Sequence, residues 1–384
     1  MDERREKGKE MTKAWKPERN KKKSGKKSRK YQIFAWILLV MAGLGLTGVA
    51  VGTVVVQTGK ASLHKNASSQ LPLNNEALSD TEVFGPEAEE IPEVVWEEDW
   101  IRYHGKVYDY NEDILTFLCM GIDVNSKISD KQSGKKSGQA DALFLLVLNP
   151  HNKQMHLIAL DRNTMTDIDV YDKEGKYQET IRGQLALAHG YGDGKELSAQ
   201  NTVKAVSSVM YGIPIHGYCA INMAAIEEIN DIVGGVDVTV LEDLTKADKR
   251  LKMGENIHLE GKLAYLYVKY RDTQVEESAR KRMERQKQYL TAYVTQAKKA
   301  LKQDMTIPVT MFQTLKPYMV TDVTLDEAVY LAGEALTYSF SADSLLSVPG
   351  ENNTSGKYDE FYPDEEQLKA IVIDIFYEEV EDAV

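Results

Sequence analysis

The chain has 384 residues, 47 Lys and Arg against 59 Asp and Glu, a formal net charge of −12 and 2 cysteines. That length suits one large domain or two small ones with appendages, and so few cysteines exclude a disulfide-built scaffold. The charge is unevenly placed: residues 1–30 hold 14 Lys/Arg against 5 Asp/Glu, which leaves 33 against 54, a net of −21, in the rest.

Immediately after the basic tail, "YQIFAWILLVMAGLGLTGVAVGTVVVQTG" (31–59) contains no charged residue. At about 1.5 Å per residue this stretch outspans a hydrocarbon core of roughly 30 Å, so it predicts a single transmembrane helix. It is longer than the apolar segment of a cleaved signal peptide, about 7–15 residues, and an uncleaved signal anchor is expected. Trp36 near one end suits the headgroup region. Basic tails also bind nucleic acid, but here the tail abuts the span, and the preference of positive residues for the cytoplasm accounts for it. The expected protein is therefore a single-pass cell-membrane protein with a cytoplasmic N-terminus, an extracellular C-terminal domain and no nucleic-acid partner. "GLGLTG" (43–48) matches a dinucleotide-binding pattern only in letters, because no strand precedes it.

Residues 60–110 are polar and acidic, as in "GPEAEEIPEVVWEEDW" (85–100), and read as an acidic extracellular spacer with a short element near Trp96 to Val107. From 111 to 380 the pattern is globular and continuous. "ILTFLCMGID" (114–123), "DALFLLVLNP" (141–150) and "QMHLIALDR" (154–162) are apolar runs of strand length. Runs apolar on both faces imply a sheet covered on both sides. A helix is expected over 196–212, with Ser198 as cap candidate and Gly212 as terminator. A strand (217–222), a helix (223–235) and a strand (236–241) follow. A long helix near 274–303, another near 324–338, a strand at 344–350 and a helix from about 363 to 378 complete the domain. The alternation predicts an α/β fold, an α-β-α sandwich with a mixed central sheet. Cys119 and Cys219 lie in apolar runs and are expected as buried core residues, although an external location permits a disulfide.

The helix near 274–303 carries "ARKRMERQ" (279–286). At 100° per residue, Val275, Ala279, Met283, Leu290, Val294, Ala297 and Leu301 form one apolar stripe. Gln286 falls inside it, Arg282 on its edge and Arg285 further out on the same side, whereas Arg280, Lys281 and Lys287 point to solvent. Arg282, Arg285 and Gln286 thus form a polar fan that either pairs with nearby acids or clamps an anion, since guanidinium forks match phosphate oxygens. Two more arginines stand where strands are expected to end, Arg162 after "LIAL" and Arg271 after "LAYLYVKY". Asp123 ends one strand and Asp141 begins the next. In antiparallel neighbours these carboxylates would meet at a sheet edge and repel unless a cation or a proton sits between them, Mg²⁺ being suited to few carboxylates plus phosphate oxygens. Of the seven histidines, only His189, beside the glycine-rich "HGYGDGK" (189–195), merits notice; that loop lacks P-loop spacing.

Taken together, "FLCMGID" (117–123), "QADALFLLVLNP" (139–150), "LIALDRNTM" (157–165), "IVGGVDVTV" (232–240), "LEGKLAYLYVKYR" (259–271) and "RMERQ" (282–286) resemble, in order and spacing, the LytR–CpsA–Psr family of membrane-anchored cell-envelope phosphotransferases. The resemblance implies transfer of a teichoic-acid-like or capsular glycopolymer from a polyprenyl-pyrophosphate carrier onto peptidoglycan, with the lipid tail in an apolar tunnel. It implies Asp123 and Asp141 as Mg²⁺ ligands, Asp123, Asp141 and Arg162 as catalytic residues, and Arg162, Lys269, Arg271, Arg282, Arg285 and Gln286 as pyrophosphate contacts. The chain departs from the family where Gln139 and Lys269 replace arginines and where Asp161-Arg162-Asn163 replaces Pro-Arg-Asp. Those departures leave two alternatives: a non-catalytic polyprenyl-lipid or glycan-binding envelope regulator, and a polyprenyl-pyrophosphate pyrophosphatase.

Overall fold

The apolar runs at 114–123, 141–150 and 154–162 become strands whose side chains alternate between two cores. In chain order, a short helix α1 (Asn75–Leu78) and a hairpin, β1 (Ile101–Tyr103) and β2 (Lys106–Tyr110), lead into β3 (Leu115–Ile122), β4 (Ala140–Asn149) and β5 (Gln154–Leu160). A polar hairpin follows, β6 (Met165–Tyr171) and β7 (Tyr177–Gln184), then α2 (Leu187–Gly190), α3 (Glu196–Val209), β8 (Gly217–Asn222), α4 (Ile226–Ile232), β9 (Val236–Thr239) and β10 (Asn256–Leu259). Helices α5 (Lys262–Lys269), α6 (Ser278–Gln303) and α7 (Ile307–Leu315) precede β11 (Met319–Thr321) and α8 (Leu325–Ala335). The chain closes with β12 (Leu345–Ser347), β13 (Gly350–Asn353), β14 (Glu360–Pro363), α9 (Glu365–Phe376) and β15 (Tyr377–Glu379). This computed structural model describes residues 62–63, 71–80, 97, 99–124, 126–128, 137–270, 272, 278–304 and 306–380. The basic tail and the apolar span at 31–59 lie outside the described residues, among which no helix is long and apolar enough to cross a membrane.

The central sheet has six strands in the order β11-β8-β3-β4-β5-β12. Strands β3, β4 and β5 are successive antiparallel neighbours, while β3–β8 and β5–β12 are parallel, so the sheet is mixed as expected. Side chains alternate across it, as the two-residue period of a strand requires. Phe117, Cys119, Leu146 and Leu157 enter a core closed by α4 to α8, and Leu118, Met120, Leu145 and Ile158 enter a second core closed by α2, α3 and α9. Cys119 and Cys219 stand side by side in register, both buried and free.

Several elements differ from the sequence expectation. The run "KLAYLYVK" is helix α5 rather than a strand ending before Arg271. Its Tyr and Val content favours strands, but Leu263, Ala264, Tyr267 and Val268 recur at helical spacing and are all buried, and packing overrides propensity. Ser198 is no helix cap: α3 begins at Glu196, and the Ser198 hydroxyl accepts from the Gly194 N–H at 2.7 Å. Gly212 lies three residues beyond α3 with φ of +82°, and a Cβ there would meet the Pro72 carbonyl oxygen at 2.1 Å. Part of the acidic segment is folded onto the domain: β15 pairs with β2 across Tyr377 and Tyr110, and α1 is tied to the end of α3 by Asn74 N–H donating to Tyr211 O.

Candidate functional site: a cation-lined mouth on an apolar cavity

The antiparallel register of β3 and β4 pairs Ile122 with Ala140, so Asp123 leaves β3 beside the start of β4, where Asp141 stands. A turn after β5, closed by Thr164 N–H donating to Asp161 O at 3.0 Å, turns Arg162 toward the same edge. One guanidinium nitrogen of Arg162 donates to Asp141 Oδ1, and the other donates to Gln139 Oε1 at 2.8 Å. The Gln139 N–H donates in turn to Asp123 Oδ1 at 2.7 Å. Two carboxylates, one guanidinium and one amide from three segments are thereby linked.

Asp141 and Arg162 of this cluster also line a cavity of about 420 Å³. Its polar part is lined by Asp141, Asp161, Arg162, Lys269, Arg282, Gln286 and Lys287, and its apolar wall includes Leu143, Phe144, Leu160, Leu290, Leu346 and Phe361. The charged side comes from strand ends and from α5 and α6, the apolar side from strand interiors and the next turn of α6. A single ligand filling the cavity would meet both charged and hydrocarbon side chains.

Burial pushes the Asp141 carboxyl above its ordinary value, and the neighbouring Asp123 adds to this, while Arg162 and Arg282 oppose it. Burial lowers the Lys269 ammonium, against the attraction of Asp141, and its Nζ lies 5.0 Å from the Tyr265 ring centroid. Among the described residues no group of three or more His, Cys, Asp or Glu could hold a metal. The Asp123–Asp141 pair is a smaller donor set. Each has Oδ1 accepting a hydrogen bond. Adjacent hard-oxygen donors of this kind fit Mg²⁺, which takes one or two carboxylates and fills its octahedron with phosphate and water.

Asp123, Asp141 and Arg162 are therefore gathered, and Lys269, Arg282 and Gln286 line the cavity. Arg271 lies outside the described residues. Arg285 corrects the expectation of a phosphate contact. Its side chain is 1% exposed, its Nε donates to Glu242 Oε1 at 2.6 Å, and its two other nitrogens donate to the carbonyls of Tyr267 and Tyr270. With its donors turned inward to the end of α5, Arg285 is an internal brace. Lys287, expected in solvent, is partly buried and lines the cavity together with Leu290 from the next turn of α6. Asp161 accepts from Asn163 N–H at 2.7 Å and shapes the turn; the acid beside Arg162 is Asp141.

The fold and cavity define an α/β domain with one cavity lined by cations and by apolar side chains, a lining suited to an amphiphilic anion. The chain belongs to the LytR_cpsA_psr family, whose model matches residues 87–374. It is 32% identical over 161 residues to the polyisoprenyl-teichoic acid–peptidoglycan teichoic acid transferase TagU of Bacillus cereus, covering 41% of this chain and 45% of that protein. The chain thus spans less than half the length of that relative. Among solved structures, protein gbs0355 from Streptococcus agalactiae superposes with a TM-score of 0.55 at 18% identity, covering 68% of this chain and 86% of that one. TagT bound to LIIa-WTA superposes with a TM-score of 0.50 at 22% identity, covering 68% and 89%. These two likenesses speak for the fold.

Proposed function

We propose that the protein is a membrane-anchored phosphotransferase that moves a glycopolymer from a polyprenyl-pyrophosphate carrier onto peptidoglycan. The observation that carries this reading is that one cavity is lined both by Arg162, Lys269, Arg282 and Gln286 and by Phe144, Leu290 and Leu346. That lining matches a carrier with a diphosphate head and a hydrocarbon tail. The transferase names of relatives such as B. cereus TagU support the same reaction class. Cell-membrane placement follows from the apolar span and the basic tail in front of it.

In this reading an acceptor hydroxyl of peptidoglycan attacks the sugar-linked phosphorus. The bond from that phosphorus to the bridging oxygen breaks, and polyprenyl phosphate leaves. Arg162, Lys269, Arg282 and Gln286 bind and orient the phosphate oxygens and offset their charge, which is where most of the rate gain lies in phosphoryl transfer. Arg162 carries five N–H donors, so the two contacts to Asp141 and Gln139 leave others for substrate. Asp123 and Asp141 would hold Mg²⁺, which when bound supplies charge neutralisation at the diphosphate. One of the two carboxylates accepts the proton of the acceptor hydroxyl. The Leu143, Phe144 and Leu346 wall excludes water from the tail.

The test is full-length protein in detergent with polyprenyl-pyrophosphate glycan labelled at the sugar-linked phosphorus, Mg²⁺ and peptidoglycan oligomers. Label recovered in a peptidoglycan conjugate supports transfer. Label in soluble glycan phosphate indicates a pyrophosphatase, and bound donor without turnover indicates a lipid-binding regulator.

A further inference from the structure

Helix α2 lies directly over the segment that joins the two aspartates to Arg162. His189, on that helix, is 2% exposed, and its Nδ1 lies 3.1 Å from the Gly138 carbonyl oxygen. A carbonyl only accepts, so the ring presents N–H at Nδ1. Burial lowers its pKa, against the backbone hydrogen bonds that favour the charged ring. The segment beneath has little freedom. The Ser137 hydroxyl donates to Gly192 O at 3.1 Å, and Ala140 N–H donates to Ala186 O at 3.1 Å. Gly138 has φ of +73°, and a Cβ there would stand 2.6 Å from Ile122 Cγ2, 2.7 Å from Val124 Cγ2 and 3.1 Å from Asp123 Oδ1. The backbone of the next residue, Gln139, makes two hydrogen bonds with Asp123: its N–H donates to the side-chain Oδ1 at 2.7 Å, and its carbonyl accepts from the Asp123 N–H at 3.0 Å. Its side chain accepts from Arg162 at 2.8 Å, while Ala186 N–H donates to Arg162 O at 2.9 Å.

We infer that His189 is a positioning residue for the phosphate site: its Nδ1–H fixes the Gly138 carbonyl, and through residues 137–139 it sets where the Asp123 carboxylate and the Arg162 guanidinium stand. His189 touches neither group. It acts by holding the backbone whose next amide and side chain hold them both. A histidine that merely filled the core would need no donor at Nδ1, and this difference can be measured. The inference rests on the transferase reading of the same site and adds the residue that aligns it.

The experiment compares His189→Asn, whose amide nitrogen falls where Nδ1 stands, with His189→Gln, whose amide nitrogen falls near Nε2. Gly138→Ala disturbs the same segment independently. In the full-length protein, Mn²⁺ binding in the presence of inorganic pyrophosphate is followed by electron paramagnetic resonance, with circular dichroism reporting the folded fraction. His189→Asn should bind Mn²⁺ within about twofold of wild type, and His189→Gln and Gly138→Ala should weaken it by about tenfold, the scale of groups that orient ligands without touching the metal. Equal Mn²⁺ affinity for the Asn and Gln variants, or for Gly138→Ala and wild type, overturns the inference, even if melting temperatures differ. A wild type whose Mn²⁺ binding is indifferent to Asp123→Asn and Asp141→Asn overturns the reading of the site itself, and this inference with it. Intact wild-type binding with unaltered Gln and Ala variants overturns only the role of His189.

Discussion

Arg162 and Asp141 are 21 residues apart in sequence and joined in space, the arginine just past the end of β5 and the aspartate near the start of β4. The partner that neutralises the arginine is itself a member of the site. The pair thus keeps a carboxylate and a guanidinium ready in a partly buried place, and neither is drawn off by an unrelated group. Asp141 needs that cation, because burial and Asp123 both oppose its ionisation.

Arg162→Gln should move the pH dependence of transfer. Without the guanidinium, the Asp141 carboxyl rises further from its ordinary value, so its ionised form appears only at higher pH. The acid limb of the initial-rate profile, measured from about pH 5 to 9, should shift upward, with a lower plateau. An unshifted limb would mean that ionisation of Asp141 does not govern turnover.

The Arg285 brace gives a stability prediction. Arg285→Met leaves the Tyr267 and Tyr270 carbonyls without their donor and Glu242 without its partner. Removing one member of a buried pair costs about 3–5 kcal/mol, and because Glu242 keeps 22% side-chain exposure a loss of about 2–4 kcal/mol is expected. Urea unfolding measures it. A phosphate-binding role would instead weaken donor affinity without lowering the urea midpoint.

Asp322 offers a pH test away from the site. Burial pushes its carboxyl up from 3.8 to about 6, although the Tyr218 N–H donating at 2.7 Å opposes this. A raised folded-state pKa contributes stability fully present below the unfolded value and lost as pH rises through about 6. Asp322→Asn keeps an acceptor for Tyr218 and carries no charge. It should match wild type near pH 4 and exceed it by about 1–3 kcal/mol near pH 8. Chemical denaturation at both pH values decides the sign.

Ala159 is a small residue on the cavity wall, paired in register with Ser347 of β12. Ala159→Phe fills part of the 420 Å³ behind the charged mouth. Each buried CH₂ of a lipid tail is worth about 0.8 kcal/mol, so displacing even two should weaken a long-tailed donor about tenfold and barely affect a short-tailed one. Competition binding with donors of two tail lengths checks this.

What the sequence made legible was whatever its apolar period encoded. Strands β3, β4, β5 and β8 are buried runs and emerge from the letters with ends shifted by a residue or two. The meeting of Asp123 and Asp141 followed from antiparallel neighbours. Hairpin β6–β7 was invisible, because residues 177–180 are all exposed and carry no apolar signal. Arg285 and Lys287 were misplaced for a related reason. A helical projection ranks side chains around α6 but does not reveal that α5 ends against one side of it and the cavity against another. His189 stood out only for its glycine-rich neighbours, and its link to Gly138 is a long-range contact without local signature.

The central claim is that one cavity takes the diphosphate at Arg162 and the hydrocarbon along Phe144, Leu290 and Leu346. Co-crystallising the protein with a polyprenyl-pyrophosphate donor and Mg²⁺ tests it most directly. The diphosphate should lie within hydrogen-bonding distance of Arg162 and Lys269, with the tail against Phe144, Leu290 and Leu346. A diphosphate bound elsewhere, or a cavity empty of lipid while the Arg162–Asp141 pair stays closed, would contradict it.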